Sequence, residues 1–391
     1  MNKLMRQTRF LTAFGLICFG LIFAPICRGE DRGASPKYVE RVIGPASLRM
    51  VGNVPVMTLS GTPEEIGQQQ AALIQEVSGP LLGFPKQFLK TFGGGAFWPV
   101  IAEAGRRLVS NAPERYQAEI QALAKAGPYD PENLRVANGL VEIRRLGGCA
   151  AFLIPAERSA TKGPLFGRNF DFPPFGVLNQ YGCVMIYRPK GQHAFVSIGF
   201  PGLIGVLSGM NDAGLCVATL DVYSSGDNSK KFDLNGVPLA LTFRQILEEC
   251  ETVAEAEALL RKVPRTTYMN LAACDSQNGA VFEITPKSVG VRPLTDMCLT
   301  CTNHFRTDDL KVSLRCDRFS RLCKIDQDAL DSRKIFDVED VQAAMHSVNQ
   351  GGLTIQTMVF EPATRKLHVV MGDGPVSNRP MTEIDAKLLF K

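Results

Sequence analysis

The chain has 391 residues, and 45% of them are hydrophobic, which is enough to bury a large core. Its 43 Lys and Arg against 39 Asp and Glu give a formal net charge of +4, and the basic residues form no run. Charge therefore favours neither nucleic acid nor an anionic membrane surface as a partner.

The first 29 residues have the pattern of a secretory signal peptide. Three basic residues precede an apolar block over residues 10–26, and Cys27-Arg28-Gly29 offers a small-residue cleavage site. We therefore expect a secreted or periplasmic protein. No second such block follows, so no membrane span is expected after signal removal. An uncleaved membrane anchor is one alternative, because the block is marginal for a span of about 20 residues. A lipoprotein site at Cys27 is disfavoured by the residues before it.

Helical patterns dominate the chain up to about Arg145. Thr62-Pro63-Glu64-Glu65 combines a capping threonine, a proline at the first helical position and early acidic residues, which predicts a helix through Val77. Two further helices are predicted over residues 112–126 and 131–144.

The pattern changes after Cys149, where short β-rich runs bounded by Gly, Pro and Asn become frequent. Two helices interrupt these runs, the second with Thr252 and Glu255 as a capping box, and residues 276–279 are typical of a hairpin turn. This order of strands, paired helices and strands predicts a layered α+β domain. The predicted strands are 150–154, 165–169, 184–187, 194–200, 215–222, 269–274, 280–285, 354–360 and 366–371, and the predicted helices are 239–250, 253–263 and 338–348.

Nine of the eleven cysteines follow the predicted signal, and an odd number leaves at least one thiol unpaired. Four of them lie in apolar segments and are expected to pack as small hydrophobic side chains. Cys298 and Cys301 have zinc-like spacing, but the chain has no second such pair and only four histidines, so no metal site is predicted. The four cysteines expected to pack are Cys183, Cys216, Cys250 and Cys274.

The dipeptide Gly148-Cys149 carries the strongest chemical signal. A backbone break there would give Cys149 both a nucleophilic thiol and an α-amine with a pKa of about 7.7–8.0, which can act as its base. Glycine leaves the scissile carbonyl open to attack, and Arg168 and Asp171 follow in the motif Gly167-Arg168-Asn169-Phe170-Asp171. Taken singly, the cysteine is typical of core packing and the Arg–Asp pair of a structural salt bridge, so only the combination indicates catalysis.

The order and spacing of several motifs resemble the acyl-coenzyme A:6-aminopenicillanate acyltransferase family. These are cysteine N-terminal-nucleophile hydrolases, related to choloylglycine (bile salt) hydrolase, penicillin V acylase, acid amidase and acid ceramidase. The resemblance covers nearly all of the chain after the predicted signal. Besides the two motifs at Cys149, it rests on residues 59–67, 209–215, 270–275, 302–305 and 318–322.

The resemblance implies a role for each of five residues. Cys149 would be the nucleophile, first towards the Gly148 carbonyl and then towards substrate. Asp171 would hold the new α-amine, Arg168 would favour the thiolate, Asn270 would donate to the oxyanion and Arg318 would organise the site. As alternatives, Asn270 would only satisfy buried backbone, and Arg318 would lie on the surface of a charged helix.

Candidate substrate-binding residues are Asp221, Asn303 and Phe170. Asp221 stands where bile salt hydrolases place an asparagine, and the anion there makes bile-salt specificity doubtful. Ala150 stands where relatives carry threonine or serine, so a local hydrogen bond is missing. Asn303 and His304 could equally be scaffolding. Asn211 is expected only to close a hairpin.

The fold implied is a four-layer αββα sandwich with a helical N-terminal segment. We expect cleavage into an α segment, residues 30–148, and a β segment, residues 149–391, that stay associated. The implied activity is hydrolysis of a small-molecule linear acyl amide without a cofactor. An acyltransferase and a catalytically inactive binding protein of the same fold are the alternatives. A serine hydrolase is unsupported, because residues 205–209 lack the nucleophile-elbow spacing.

Overall fold

The computed structural model describes residues 38–75, 78–91, 93–139, 147–161 and 163–391. The predicted signal peptide and residues 140–146, the end of the third predicted helix, lie outside the described residues. Within the described ranges, no helix is long and apolar enough to cross a membrane.

Two β-sheets form the centre of the protein. The first has ten strands in the order β1-β2-β3-β6-β7-β8-β9-β10-β11-β12, and the second has six, β13-β4-β5-β14-β15-β16. The strands are β1 Arg41–Ile43, β2 Ala46–Val51, β3 Val54–Gly61, β4 Ala150–Ile154, β5 Leu165–Asp171, β6 Cys183–Pro189, β7 Phe195–Gly199, β8 Ser208–Asn211, β9 Cys216–Asp221, β10 Met269–Cys274, β11 Gly279–Ile284, β12 Val289–Pro293, β13 Leu299–Cys301, β14 Thr354–Glu361, β15 Lys366–Met371 and β16 Thr382–Asp385.

Helices cover the outer faces of both sheets. The described helices are α1 Pro63–Ile74, α2 Ser78–Thr91, α3 Trp98–Ser110, α4 Glu114–Ala126, α5 Pro131–Gly139, α6 Leu239–Glu249, α7 Val253–Lys262, α8 Asp317–Asp331, α9 Val338–Ser347 and α10 Ala386–Leu389. Helices α6 and α7 pack on the ten-stranded sheet, and α8 and α9 on the six-stranded sheet. One apolar core joins the inner faces of the two sheets, and a second lies between the six-stranded sheet and α8 and α9. This order confirms the αββα sandwich.

The N-terminal segment differs in part from the helical prediction. It begins with strands β1–β3, and β3 pairs in parallel with β6, so this segment extends the ten-stranded sheet. Apolar side chains on these strands, including Val42 and Met50, are exposed, so hydrophobicity does not alternate cleanly. Helices α2, α3 and α10 and strands β8, β12, β13 and β16 were also not predicted. Helix α8 appeared only as the charged helix in the alternative for Arg318.

Other local predictions are confirmed. Thr62 caps α1 with a complete capping box, and Thr252 and Glu255 form the same arrangement at α7. Asn211 closes its turn as expected, because its Oδ1 accepts from the Leu215 N–H and its Nδ2 donates to two carbonyls of the α6 end. The four cysteines expected to pack are buried with free thiols.

Candidate active site

Cys149 immediately precedes β4, next to the end of β5. The antiparallel register pairs Ala150 with Asn169 and Ala151 with Arg168, which places Cys149 and Arg168 on the inner face of the six-stranded sheet. The thiol is free and the residue is only 3% exposed. Burial raises the pKa of the Cys149 thiol, and the Asp171 and Asp221 carboxylates add to the rise against the lowering effect of Arg168. In this uncut chain the thiol is therefore protonated at neutral pH.

The carbonyl of Gly148, the predicted scissile group, is held by two side-chain donors. Arg318 Nη1 donates to Gly148 O at 2.7 Å and to Cys149 O at 2.6 Å, and Gln350 Nε2 also donates to Gly148 O. The Gly148 N–H donates to Asp171 O at 2.9 Å. Donors on a carbonyl oxygen stabilise the negative charge that develops there when a nucleophile attacks.

Asp171 ends β5 and is fully buried. Its carboxylate accepts from Thr354 Oγ1 at 2.6 Å and from Gln350 Nε2 at 3.1 Å. Burial raises the pKa of Asp171 to about 6, although these hydrogen bonds and the charges of Arg318 and Arg168 lower it. The carboxylate is thus anionic at neutral pH, and it positions Gln350 on the Gly148 carbonyl.

Arg168 is a fully buried cation that bridges the two sheets. Its Nε donates to Ser208 Oγ at 2.7 Å on the ten-stranded sheet, and its Nη1 donates to Asn169 O at 3.0 Å. The guanidinium also lies 5.3 Å from the centre of the Phe170 ring. Because Arg168 lowers the pKa of the Cys149 thiol, its charge favours the thiolate. The catalytic role that the resemblance implies for Arg168 stays a prediction.

Asn270 lies on β10 and reaches the loop after β13. Its Nδ2 donates to Thr302 O at 2.9 Å and to His304 O at 3.1 Å, so both amide hydrogens are directed at backbone in the uncut chain. Its Oδ1 is buried without a hydrogen-bond partner among the described residues. The donors on Gly148 O are Arg318 and Gln350, and the oxyanion role of Asn270 stays a prediction.

A small cavity of about 20 Å³ adjoins Cys149, room for roughly one water molecule. Phe170 and Asp221, two of the candidate substrate-binding residues, line it together with Gly147. The Gly147 N–H donates to Asp221 Oδ2 at 3.3 Å, and Tyr223 donates to Gly147 O at 2.5 Å. The chain's own residues before the predicted cut therefore fill the space beside the thiol.

Asn303 connects the candidate residues. Its Nδ2 donates to Asp221 O at 2.8 Å, and its Oδ1 accepts from Arg318 Nη2 at 3.0 Å. Arg318 lies half-buried in the first turn of α8, and its guanidinium is directed at the Gly148 and Cys149 carbonyls, as the organising role requires. Within the described ranges, no cluster of three or more His, Cys, Asp or Glu side chains is placed to hold a metal ion.

Sequence reasoning missed Gln350, Thr354 and Tyr223. Gln350 and Thr354 lie 202 and 183 residues from their partners Gly148 and Asp171. No local motif surrounds Gln350 or Tyr223, and single Gln and Tyr residues carry no signal of their own. Thr354 begins a predicted strand, which gives no hint of its hydrogen bond to Asp171.

Replacement of Gly148 by alanine should slow any cleavage at Cys149 by about 10- to 100-fold, because a carbonyl donor is lost. A Cβ at Gly148 would lie 1.7 Å from Gln350 Nε2, so this side chain must leave the carbonyl. The rate at which fragments appear measures the effect. Gly352→Ala is the matched control, since a Cβ there meets nothing within 4 Å. Equal rates in both variants would contradict the role of Gln350.

Comparison with known proteins gives one curated relative and several solved structures. An uncharacterised protein of Archaeoglobus fulgidus is 23% identical over 272 residues, which cover 61% of this chain and 44% of the relative. The chain thus spans less than half of that relative's length.

The solved structures have low sequence identity. A mutant of conjugated bile acid hydrolase from Clostridium perfringens has a TM-score of 0.42 at 16% identity, covering 61% of this chain and 92% of its own. The Caenorhabditis elegans ortholog of N-acylethanolamine-hydrolyzing acid amidase has a TM-score of 0.43 at 17% sequence identity. The match covers 60% of this chain and 98% of that structure. Penicillin V acylase from Agrobacterium tumefaciens has a TM-score of 0.43 at 15% sequence identity, and the match covers 57% of this chain and 83% of that structure.

The decisive comparison is with a family profile. Residues 158–375, more than half of the chain, match the profile of acyl-coenzyme A:6-aminopenicillanic acid acyl-transferase. The match includes Arg168, Asp171, Asn270 and Arg318 and begins after Cys149. The chain therefore belongs to the acyl-coenzyme A:6-aminopenicillanic acid acyl-transferase family.

Proposed function

We propose that the protein is an amidohydrolase that cleaves itself between Gly148 and Cys149 and then hydrolyses small linear acyl amides through a thioester on Cys149. The observation that carries the proposal is the pair of donors, Arg318 and Gln350, on the carbonyl next to the cysteine. A packing cysteine needs no donors on the preceding carbonyl. The same donors stabilise a tetrahedral intermediate formed at that carbon.

Self-cleavage begins when Cys149 Sγ attacks the Gly148 carbonyl carbon. The C–N bond breaks, the amide nitrogen takes up the thiol proton, and the Gly148 acyl group becomes a thioester on Sγ. Water hydrolyses the thioester, which leaves a carboxylate on Gly148 and a free α-amine on Cys149. That amine then serves as the base that the uncut chain lacks.

In turnover, the Cys149 amine accepts the thiol proton, and the thiolate beside Arg168 attacks the substrate carbonyl. Asp171 holds the amine, and the leaving amine of the substrate collects the proton. Departure of Gly147 from the cavity would make room for the substrate next to Phe170 and Asp221. Water is the default acceptor. An acyltransferase that passes the thioester acyl group to an amine is the second candidate, favoured by the family profile.

The proposal includes two associated segments and export. Strand β3 of the α segment pairs with β6 of the β segment through six residue pairs, which supports retention of both segments after the cut. Export rests on the basic and apolar pattern of residues 1–29.

Intact-mass analysis and a panel of N-acyl amides test the proposal together. We expect two fragments, one beginning at Cys149, and release of free acid from at least one amide. Added hydroxylamine, which intercepts thioesters, should divert part of the acyl group to a hydroxamate. A chain that stays uncut and inactive would contradict the proposal, and transfer to an added amine faster than hydrolysis would favour the acyltransferase.

The rate of self-cleavage should rise with pH through about 6. Burial raises the pKa of Asp171 to about 6, and its ionised carboxylate is the stronger acceptor for the Gln350 side chain that donates to the Gly148 carbonyl. At pH 5 about a tenth of the carboxyl group is ionised, so the rate should fall about tenfold from its value at pH 7.5. Fragment appearance after pH jumps of the uncut chain measures this. A rate that is flat between pH 5 and 7.5 would contradict the role of Asp171.

A further inference from the structure

A second cysteine lies in a polar cluster at the beginning of α8. Cys316 is the residue at the N-terminal cap of this 15-residue helix, and it is half-buried. Its Sγ lies 3.6 Å from Thr302 Oγ1, which in turn lies 3.0 Å from His304 Nδ1. Cysteine, threonine and histidine thus form a continuous chain of polar contacts.

His304 has an unused polar atom in this cluster. The residue is 7% exposed, and its Nε2 is buried without a hydrogen-bond partner among the described residues. An unpaired buried nitrogen is costly, so this atom is an unsatisfied polar group within the cluster. The imidazole adjoins Thr302, which contacts the Cys316 thiol, and it lowers the pKa of that thiol.

The surroundings of Cys316 favour its thiolate. Burial raises the pKa of the Cys316 thiol, but the His304 imidazole, the Phe319 N–H, the Thr302 hydroxyl and the Arg318 charge outweigh burial and lower the pKa to about 6. The helix N-terminus adds a partial positive charge. Two further charged side chains are near in sequence, Arg315 and Asp317, but they are exposed and pair with each other at 3.1 Å.

We propose that Cys316 is a second reactive thiol, a modification site for small disulfides and soft electrophiles. Its thiolate attacks one sulfur of a disulfide R–S–S–R, the S–S bond breaks, and a mixed disulfide forms on Cys316 while RS⁻ leaves and takes up a proton from water. Excess free thiol reverses the exchange. No net oxidant beyond the disulfide is required.

Modification would act on the Cys149 site through Arg318. Only Asp317 separates the two residues along the first turn of α8, and Arg318 donates to the carbonyls of Gly148 and Cys149. An adduct on the half-buried thiol must displace either the helix end or the loop that carries Thr302 and His304. Either movement changes the position of Arg318 or of the carbonyls that Asn270 contacts.

Alkylation with iodoacetamide, followed by peptide mapping, tests the reactivity without any need for turnover. Cys323 is the matched control, because it lies exposed on the same helix and its thiol pKa is raised. At pH 6.5 we expect Cys316 to react about tenfold faster than Cys323. In His304→Gln this advantage should disappear. Equal reactivity of the two cysteines in the wild type would overturn the proposal.

The link to Arg318 is tested with cystine as the disulfide and the cut enzyme, in the presence of saturating amide substrate that shields the Cys149 thiol. We expect the wild type to lose amide hydrolysis severalfold faster than Cys316→Ser, since serine also caps a helix but forms no mixed disulfide. Dithiothreitol should restore the activity. If both proteins lose activity at the same rate although Cys316 is fully modified in the wild type, the link is overturned. This arm rests on the proposed function, whereas the alkylation arm does not.

Discussion

Cys149→Ala is expected to stay a single uncut chain and to lose amide hydrolysis by about 10⁴-fold or more, as when other covalent nucleophiles are removed. In the proposed mechanism the thiol both attacks Gly148 and carries the acyl group, so its loss should abolish maturation and turnover together. Intact mass measures the first effect, and release of free acid measures the second. Because the residue is small and 3% exposed, its replacement by alanine should leave the fold in place.

Cys323→Ala is the control for this experiment. Cys323 is an exposed thiol on α8, and its removal should change neither the cut nor the rate. A Cys149→Ala chain that is still cut at the same bond would show that another group, or another protein, performs the cleavage.

Asp171→Asn should lower activity by about 100-fold and at the same time stabilise the uncut chain. The activity falls because a neutral amide cannot hold the charged α-amine as a carboxylate does. The stability rises because burial raises the folded-state pKa of Asp171 from 3.8 to about 6, so the folded state binds more protons than the unfolded state between these values. The ionised carboxylate then costs roughly 3 kcal/mol at neutral pH.

The sign of this effect can be measured. Stability contributed by Asp171 is full below about pH 4 and is lost as the pH rises through 6, so Asp171→Asn should gain about 1–3 kcal/mol in unfolding free energy at pH 7.5 and little at pH 4. Asp227→Asn is a control for which we expect a change in unfolding free energy of the opposite sign. Burial raises the pKa of Asp227, but hydrogen bonds from Ser229, Thr285 and Ser225 lower it to about 2, so its replacement should destabilise at pH 7.5. A pH-independent difference for Asp171→Asn would contradict the assignment.

Features of the fold that depend on neighbouring residues can be predicted from the sequence. The capping boxes at Thr62 and Thr252 and the β-rich runs after Cys149 depend on neighbours a few residues away. The motif around Arg168 and Asp171 could be recognised because its residues are contiguous in sequence. In the structure both residues lie on β5, which pairs with β4, the strand that follows Cys149.

The parts that sequence did not reveal depend on distant contacts. Gln350 follows α9 and meets Gly148 only after the six-stranded sheet has formed. Strand β3 has no local sign that it will pair in parallel with β6, because its partner lies more than 120 residues away. Helix α8 buries only Leu322, Asp326 and Ala329, so its hydrophobic pattern is too sparse to predict a helix from periodicity.

If the proposed self-cleavage occurs, the donors on the Gly148 carbonyl would give it a fixed order during synthesis. Arg318 and Gln350 lie 170 and 202 residues after Gly148, so a growing chain that has not yet produced residue 318 lacks both donors, and one that has not yet produced residue 350 lacks the second. Cleavage would thus depend on folding of the C-terminal half of the chain. A truncated or misfolded chain would stay uncut and inactive, so only a chain with a correctly folded C-terminal half would become an active enzyme.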